Sequence, residues 1–357
     1  MTALRVALVT PLSGPLALYG ASGAAALNIW ADQAAWLAPP WTRVELEVLD
    51  AHPSPAAAMR EGVRRQPDVV FGPYGSSPAV AALAATDRLV WNHGGATDRL
   101  RWPRFAHTLN VLAPAASYFA GVLQAVHASD PAAHTVSLLH GVTGFGREVA
   151  RGAVTTAEAL GLELQAVAFA AGQAERMAEL LPPGDVLLVV GSFTDELSAA
   201  RLLLGRQWRA AAFVAAGVQE VLAPLGPARE GLLGPCQWLA SAAVTPEEGP
   251  DVAWFVRAFR AATGSEPPYP AAAAFAAGVL CARSLREART AADAALLAVA
   301  ARLSLRTLFG TFRLDPLTGL QVGHQTLVVQ WQQGRRRVVW PPERAESALR
   351  LTPSRDC

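Results

Sequence analysis

The 357-residue chain contains no lysine. All 30 of its basic residues are arginines, and they nearly balance 29 acidic residues for a net charge of +1. Such a balance offers no electrostatic footprint for nucleic acid or an anionic membrane surface. Without lysine there is also no Gly-Lys-Ser/Thr phosphate loop. Cysteine is scarce: Cys236, Cys281 and Cys357 stand far apart, in no Cys-x-x-Cys or Cys/His spacing. That excludes a disulfide framework and argues against a metal site, while one disulfide stays open. Long apolar runs are missing too. The most apolar window, Ala271 to Ala282, has 12 residues, fewer than the roughly 18 of a membrane span, so it is expected to be a buried core helix. Met1-Thr2-Ala3 leads straight into the first apolar run, with no charged n-region, apolar h-region or cleavage site. On this ground two locations stay open: the cytoplasm, or outside it after removal of a leader.

Catalytic patterns are equally thin. Ser76, His93 and Asp98 could be assembled into a triad on paper, but no Gly-x-Ser-x-Gly elbow supports it. Gly144-Phe145-Gly146 lacks the rest of a dinucleotide fingerprint and its acidic partner. No two carboxylates fall in a catalytic motif. The expectation is a protein that is not an enzyme and uses no cofactor and no metal.

What the chain does have is 52% apolar residues in a regular alternation. Strands are expected at Leu4–Val9, Val44–Leu49, Asp68–Phe71, Leu89–Asn92 and Phe105–Leu109. Helices are expected at Gly23–Trp36, Pro55–Arg65 and Pro78–Thr86. The pattern then restarts, with strands at Thr135–His140, Leu162–Phe169, Val186–Val190 and Ala211–Ala215. Its helices are Ala115–His127, Phe145–Leu160, Ala174–Leu181 and Thr194–Leu204. Short strands, apolar on both faces and separated by helices, indicate parallel sheets covered on both sides. Three more helices follow, Asp251–Ala262, Ala271–Ala288 and Ala291–Arg302, and then strands Leu308–Leu314, Gln325–Gln332 and Arg336–Trp340. The run Arg335-Arg336-Arg337 reads as part of a solvated hairpin. The fold class is α/β, with two doubly wound lobes. Leu109–Pro114 and Trp238–Val244 are candidate hinges.

In open α/β sheets ligands bind beyond the carboxyl ends of the strands. In the first lobe those ends carry Ser13-Gly14-Pro15 with Tyr19, then Gly72-Pro73-Tyr74-Gly75-Ser76-Ser77-Pro78, then His93-Gly94-Gly95-Ala96-Thr97. In the second they carry Gly144-Phe145-Gly146, Gly191-Ser192-Phe193-Thr194 and Ala216-Gly217. If the lobes face each other, these loops line one cleft. A serine before Pro78 is expected to cap a helix whose free amides can hold a carboxylate.

The order of these loops resembles the type I periplasmic binding proteins of the branched-chain amino-acid (Leu/Ile/Val) receptor family, the solute receptors of ABC importers. "VALVTPLSGPLALYG", "PDVVFGPYGSS", "FGREVA" and "FGTFRLDPLTG" carry the resemblance, which runs over nearly the whole chain. It implies a three-strand hinge, an N-terminal lobe of residues 1–112 with 243–322 and a C-terminal lobe of residues 113–242 with 323–357. It also implies an extracytoplasmic location, a small-molecule ligand taken by hinge closure and an ABC permease as partner, with no membrane insertion.

By resemblance Tyr19 is a pocket aromatic. Ser76, with its neighbours Tyr74 and Ser77, belongs to the loop that holds a ligand carboxylate, and the Gly94 carbonyl accepts an ammonium. Phe145 and Phe193 stand at usual tyrosine positions, and Gly217 lies in the last ligand loop. Two positions depart from the family. Ala96 replaces a threonine, with Thr97 adjacent, and Ala216 replaces the acidic partner of the ammonium. A buried ammonium without a carboxylate costs several kcal/mol. The implied ligand is therefore more apolar than a plain amino acid: a carboxylate or amide, with an aromatic body among the options. Two other roles stay open: a cytoplasmic sensor of amide-type ligands that binds a regulatory protein, and a hydrolase on an α/β scaffold.

Overall fold

The structure, a computed structural model, describes residues 2–33, 37, 39–218 and 221–352. The chain divides into two compact units, Met1–Pro114 with Trp238–Gln325 and Ala115–Gln237 with Thr326–Cys357. The first segment runs β1 (Thr2–Thr10), α1 (Ala17–Ala31), β2 (Trp41–Asp50), α2 (Pro55–Arg64), β3 (Val69–Gly72), α3 (Ser76–Leu83), β4 (Val90–Asn92) and β5 (Thr108–Asn110). The second runs α4 (Ala120–Ser129), β6 (Thr135–Gly141), α5 (Gly144–Leu160), β7 (Glu163–Phe169), α6 (Ala174–Glu179), β8 (Val186–Val190), α7 (Phe193–Leu203), β9 (Ala210–Phe213) and β10 (Leu233–Cys236). The chain returns to the first unit with α8 (Val252–Thr263), α9 (Tyr269–Ala288), α10 (Asp293–Ala300), β11 (Ser304–Thr307) and β12 (Gly310–Arg313), and ends in the second with β13 (Leu327–Gln332) and β14 (Arg335–Trp340).

The first unit is built on a five-stranded sheet in the order β2-β1-β3-β4-β5, every pairing parallel. The second repeats that order as β7-β6-β8-β9-β10 and adds the antiparallel hairpin β13–β14 beyond β10. Both orders reverse direction beside their first strand, which places a switch point between β1 and β3 in one unit and between β6 and β8 in the other. Central strands such as Val186–Val190 are buried throughout. Edge strands are not: in β2, Arg43, Glu45 and Glu47 alternate outward, a charged edge that resists pairing with another chain. The expectation of strands apolar on both faces therefore fails at β2.

Several boundaries also move. Helix α1 begins at Ala17, six residues before the expected Gly23, and the expected end at Trp36 lies outside the described residues. The expected helix opens at Gly23 and leaves Gly20 outside it. In the fold they are helical contacts: a Cβ at Gly20 would collide with the Pro11 carbonyl, and one at Gly23 would lie 3.2 Å from the His93 ring. The expected helix Ala115–His127 is broken into a 3-10 turn, Ala115–Ser117, and α4. The expected strand Ala211–Ala215 ends at Phe213, and Val214–Gly217 turns into a 3-10 helix. Strands β10 and β11 were not expected at all. In β10, Leu-Gly-Pro-Cys has a strand breaker at its centre, and the strand exists because β9 and β13 flank it.

Other features follow from local chemistry. The apolar window Ala271–Ala282 is the core of α9, buried along nearly its whole length. No described helix is long and apolar enough to cross a membrane. The β13–β14 turn uses Gln333 (φ 55°) and Gly334 (φ 72°), the left-handed pair a tight hairpin requires. Cys236 and Cys281 are both buried thiols.

Candidate functional site

In the first unit three carboxyl-end loops are fastened to one another. The loop after β1 is held from β2. Asp50 accepts from the Leu12 and His52 amides at 2.8 and 2.9 Å and from the Ser13 hydroxyl at 2.6 Å. Burial would raise this carboxyl, but the Ser13 hydroxyl and the three backbone N–H groups outweigh it and bring it down to about 2. Gly14 turns with φ 75°, and a Cβ there would stand 2.5 Å from the His52 ring. The turn delivers Tyr19, buried and stacked on Tyr74 with centroids 5.1 Å apart.

Tyr74 belongs to the loop after β3. The next residue, Gly75, is the N-cap of α3 at φ 99° and makes no side-chain cap. This corrects the expected serine cap. The Ser76 hydroxyl instead accepts from the Ala96 amide at 3.3 Å, and the Gly75 amide donates to the Gly94 carbonyl at 3.0 Å. Ser77 is exposed. As first-turn residues, Ser76 and Ser77 have amides with no acceptor inside α3.

The loop after β4 is closed by Asn92, whose side chain accepts from the Gly95 amide at 2.8 Å and donates to the Gly95 carbonyl at 2.8 Å. Gly94 has no room for a Cβ, because the Tyr74 backbone lies against it. Ala96 and Thr97 are buried, and the Thr97 hydroxyl accepts from the Arg99 amide at 3.2 Å as the cap of a 3-10 turn. Ring stacking, backbone contact and hydrogen bonds thus join Tyr19, Tyr74, Ser76, Gly94 and Ala96 in one cluster, and Thr97 follows Ala96 in the same loop. Sequence reasoning missed a further member. Tyr269, the first residue of α9, places its hydroxyl 2.6 Å from that of Tyr74. The signal was Pro268-Tyr269-Pro270, an aromatic between helix-start prolines, but the helix was expected two residues later.

In the second unit Phe145 stands at the start of α5, which Thr143 caps by accepting from the Gly146 amide at 3.1 Å. Its ring meets Tyr118 edge-on at 5.7 Å. The Tyr118 hydroxyl accepts from Gln237 at 3.1 Å, and burial, opposed by that bond, pushes the phenol up to about 12. Phe193, half-buried, opens α7 under a Ser192 cap and packs against the core that contains Ala215 and Ala216.

The loop after β9 is fixed from three sides. Glu196 accepts from the Gly191 and Ala215 amides at 3.2 and 2.7 Å. The Trp331 indole donates to the Ala216 carbonyl at 2.9 Å, and Arg336 donates to the Gly217 carbonyl at 2.5 Å. Ala216 is fully buried in the unit's core, and the Pro235 carbonyl fills the place of a Gly217 side chain. Glu196 is the carboxylate nearest this loop in hydrogen-bond terms, and both its oxygens face inward to backbone amides. Burial pushes it up to about 8, against those two bonds and with Asp195 adding to the rise.

Two α/β units of the same strand order, with these loops at the corresponding strand ends, match one known architecture over nearly their whole length. The family model described as periplasmic binding protein matches residues 3–336. The chain belongs to that family. Among solved structures it is similar to the leucine binding protein LivK from Thermotoga maritima, at 16% identity, with 94% of this chain and 97% of that one covered and a TM-score of 0.78. It is similar to an ABC transporter solute binding protein from R. palustris in complex with benzoate, at 17% identity, 99% and 98% coverage and a TM-score of 0.77. It is also similar to the branched-chain amino acid transporter substrate binding protein LivJ from Streptococcus pneumoniae in complex with isoleucine, at 17% identity, 95% and 100% coverage and a TM-score of 0.78. The fold is that of the type I periplasmic binding proteins, whose general role is solute binding.

Proposed function

We propose that this periplasmic binding protein is the extracytoplasmic receptor of an ABC importer, that it engages its solute through carboxyl-end loops of its sheets, and that it presents the solute to a permease. The solute is a small carboxylate or amide with an apolar, aromatic body. One observation carries the ligand class. The first-turn amides of Ser76 and Ser77 suit an acceptor, whereas Ala216 supplies no carboxylate and Glu196 is bonded inward. An ammonium group would lack a counter-charge there, at a cost of several kcal/mol. The aromatic residues Tyr19, Tyr74 and Phe145 favour a flat apolar body. The R. palustris protein in complex with benzoate has a fold of the same kind.

A thermal-shift series with benzoate, 4-hydroxybenzoate, benzamide, leucine and isoleucine tests this. A ligand that binds only the native state raises Tm with its concentration. Benzoate or benzamide is expected to do so, and leucine and isoleucine are not. Stabilisation by the two amino acids with none by the aromatic compounds would overturn the ligand class.

A further inference from the structure

His93 is the most anomalous polar group in the first unit. Its side chain is fully buried, and neither ring nitrogen has a hydrogen-bond partner. A buried polar group left in that state calls for a reason. The ring occupies a notch in the α1–α9 packing: the vacant Cβ position of Gly23 lies 3.2 Å from His93 Cε1 and 3.6 Å from the Ala274 methyl. His93 also begins the loop that the solute-binding reading uses. The next residue, Gly94, presses on the Tyr74 backbone and accepts from Gly75, and Ala96 donates to Ser76. A displacement of the ring is therefore passed directly to Tyr74, Gly75 and Ser76.

We propose that His93 is the positioning residue of the Gly94–Thr97 loop, and that it holds the loop in place only while its imidazole is uncharged. This rests on the solute-binding reading for the loop's purpose, though the coupling itself does not. Among the described residues no charged group bonds to the ring. The titratable groups on α1 and α9 are Tyr19, Tyr269, Cys281, Arg283, Arg286 and Glu287. The charged three are nine or more residues beyond Ala274, about two and a half turns, and are engaged within the Glu248, Arg283, Arg286 and Glu287 cluster. On the loop side, Asp98 is paired with Arg101, and Tyr74 is a phenol. Burial, opposed by the residue's own backbone, pushes the imidazole down to about 4. Acid must therefore protonate the ring in place at a large cost or expel it, and expulsion carries the loop with it.

Amide hydrogen exchange on the ligand-free protein tests this, with rates corrected for the intrinsic pH dependence. Opening of Gly75 and of Gly94–Thr97 is expected to rise close to tenfold for each pH unit between about 6 and 4, and by more than that of the β1 amides. In His93→Phe, which fills the notch without titrating, the rise should disappear. Gly23→Ala crowds the ring from another helix and should loosen the same amides at pH 7, so the test survives if His93→Phe does not fold. A flat wild-type profile, an unchanged profile in His93→Phe, or no loosening in Gly23→Ala would each overturn the proposal. A benzoate arm at pH 7 separates the two readings. Absence of benzoate protection beside the expected exchange pattern counts against the solute reading and leaves the His93 coupling in place.

Discussion

The hydroxyl oxygens of Tyr74 and Tyr269 lie 2.6 Å apart, although 195 residues separate them in the chain. The contact ties the start of α9 to the loop after β3, and it continues the stack that Tyr74 makes with Tyr19. Either phenol can donate across this bond, and only one does so at a time.

Replacement Tyr269→Phe removes the bond and keeps the ring. The expected loss of stability is about 1 kcal/mol, read from denaturant midpoints at constant m. Hydrogen exchange around Tyr74 should accelerate more than exchange in β1. No change at Tyr74 would mean that the bond does not hold that loop.

Gly94→Ala is expected to be far more damaging than its size suggests. The added methyl would run into the Tyr74 backbone, which cannot rotate away as a side chain can. A destabilisation of about 2 kcal/mol or more follows for an overpacked buried site. Gly205→Ala is the control, because its nearest neighbour would be the Leu202 carbonyl at 3.5 Å. Equal melting temperatures for the two variants would refute the tight packing at Gly94.

Asp50→Ala should loosen the Leu12–Gly14 turn, with a cost of about 1 kcal/mol once solvent screening of this exposed site is allowed for. The native carboxyl titrates near 2, below its ordinary value of 3.8. Its contribution is therefore present above about pH 4 and is lost as pH falls toward 2. Acid titration of the variant should show a shallower loss of stability over that window than the wild type.

Glu196 acts in the opposite sense. Its folded pKa of about 8 stands above the ordinary 4.5, so the native state binds more protons than the unfolded state between those values. Stability contributed by this group is full below about pH 4.5 and falls as pH rises toward 8, by at most about 1.4 kcal/mol per pH unit. Calorimetry across pH 5 to 8 should show the slope, and Glu196→Gln should flatten it at the cost of one mismatched amide contact. An identical slope in the variant would assign the effect to another group.

Much of the architecture was legible from local pattern. Apolar runs such as Val186–Val190 cannot face water on either side, and capped helices such as Thr143–Leu160 and Ser192–Leu203 carry their start signals in the sequence. Gly20 was left outside the expected helix because glycine marks a turn locally and a close contact in a packed helix, and only the neighbour decides between them. Strand β10 was invisible because its pairing energy belongs to β9 and β13 and its own Gly-Pro opposes it. The cap of α3 was misplaced because the helix begins at Ser76, two residues before the expected Pro78, which moves the cap position to Gly75.

The sequence by itself determined two α/β series with glycine-rich and hydroxyl-rich loops at their strand ends, since periodicity and turn chemistry act over a few residues. It also carried the family resemblance that the family model bears out over residues 3–336. Only the tertiary structure decided which of those loops bond to each other, that Tyr269 joins Tyr74, that Glu196 turns inward beneath Ala215, and that His93 is shut away without a partner. Those are contacts between distant segments, set by how helices and sheets fill space.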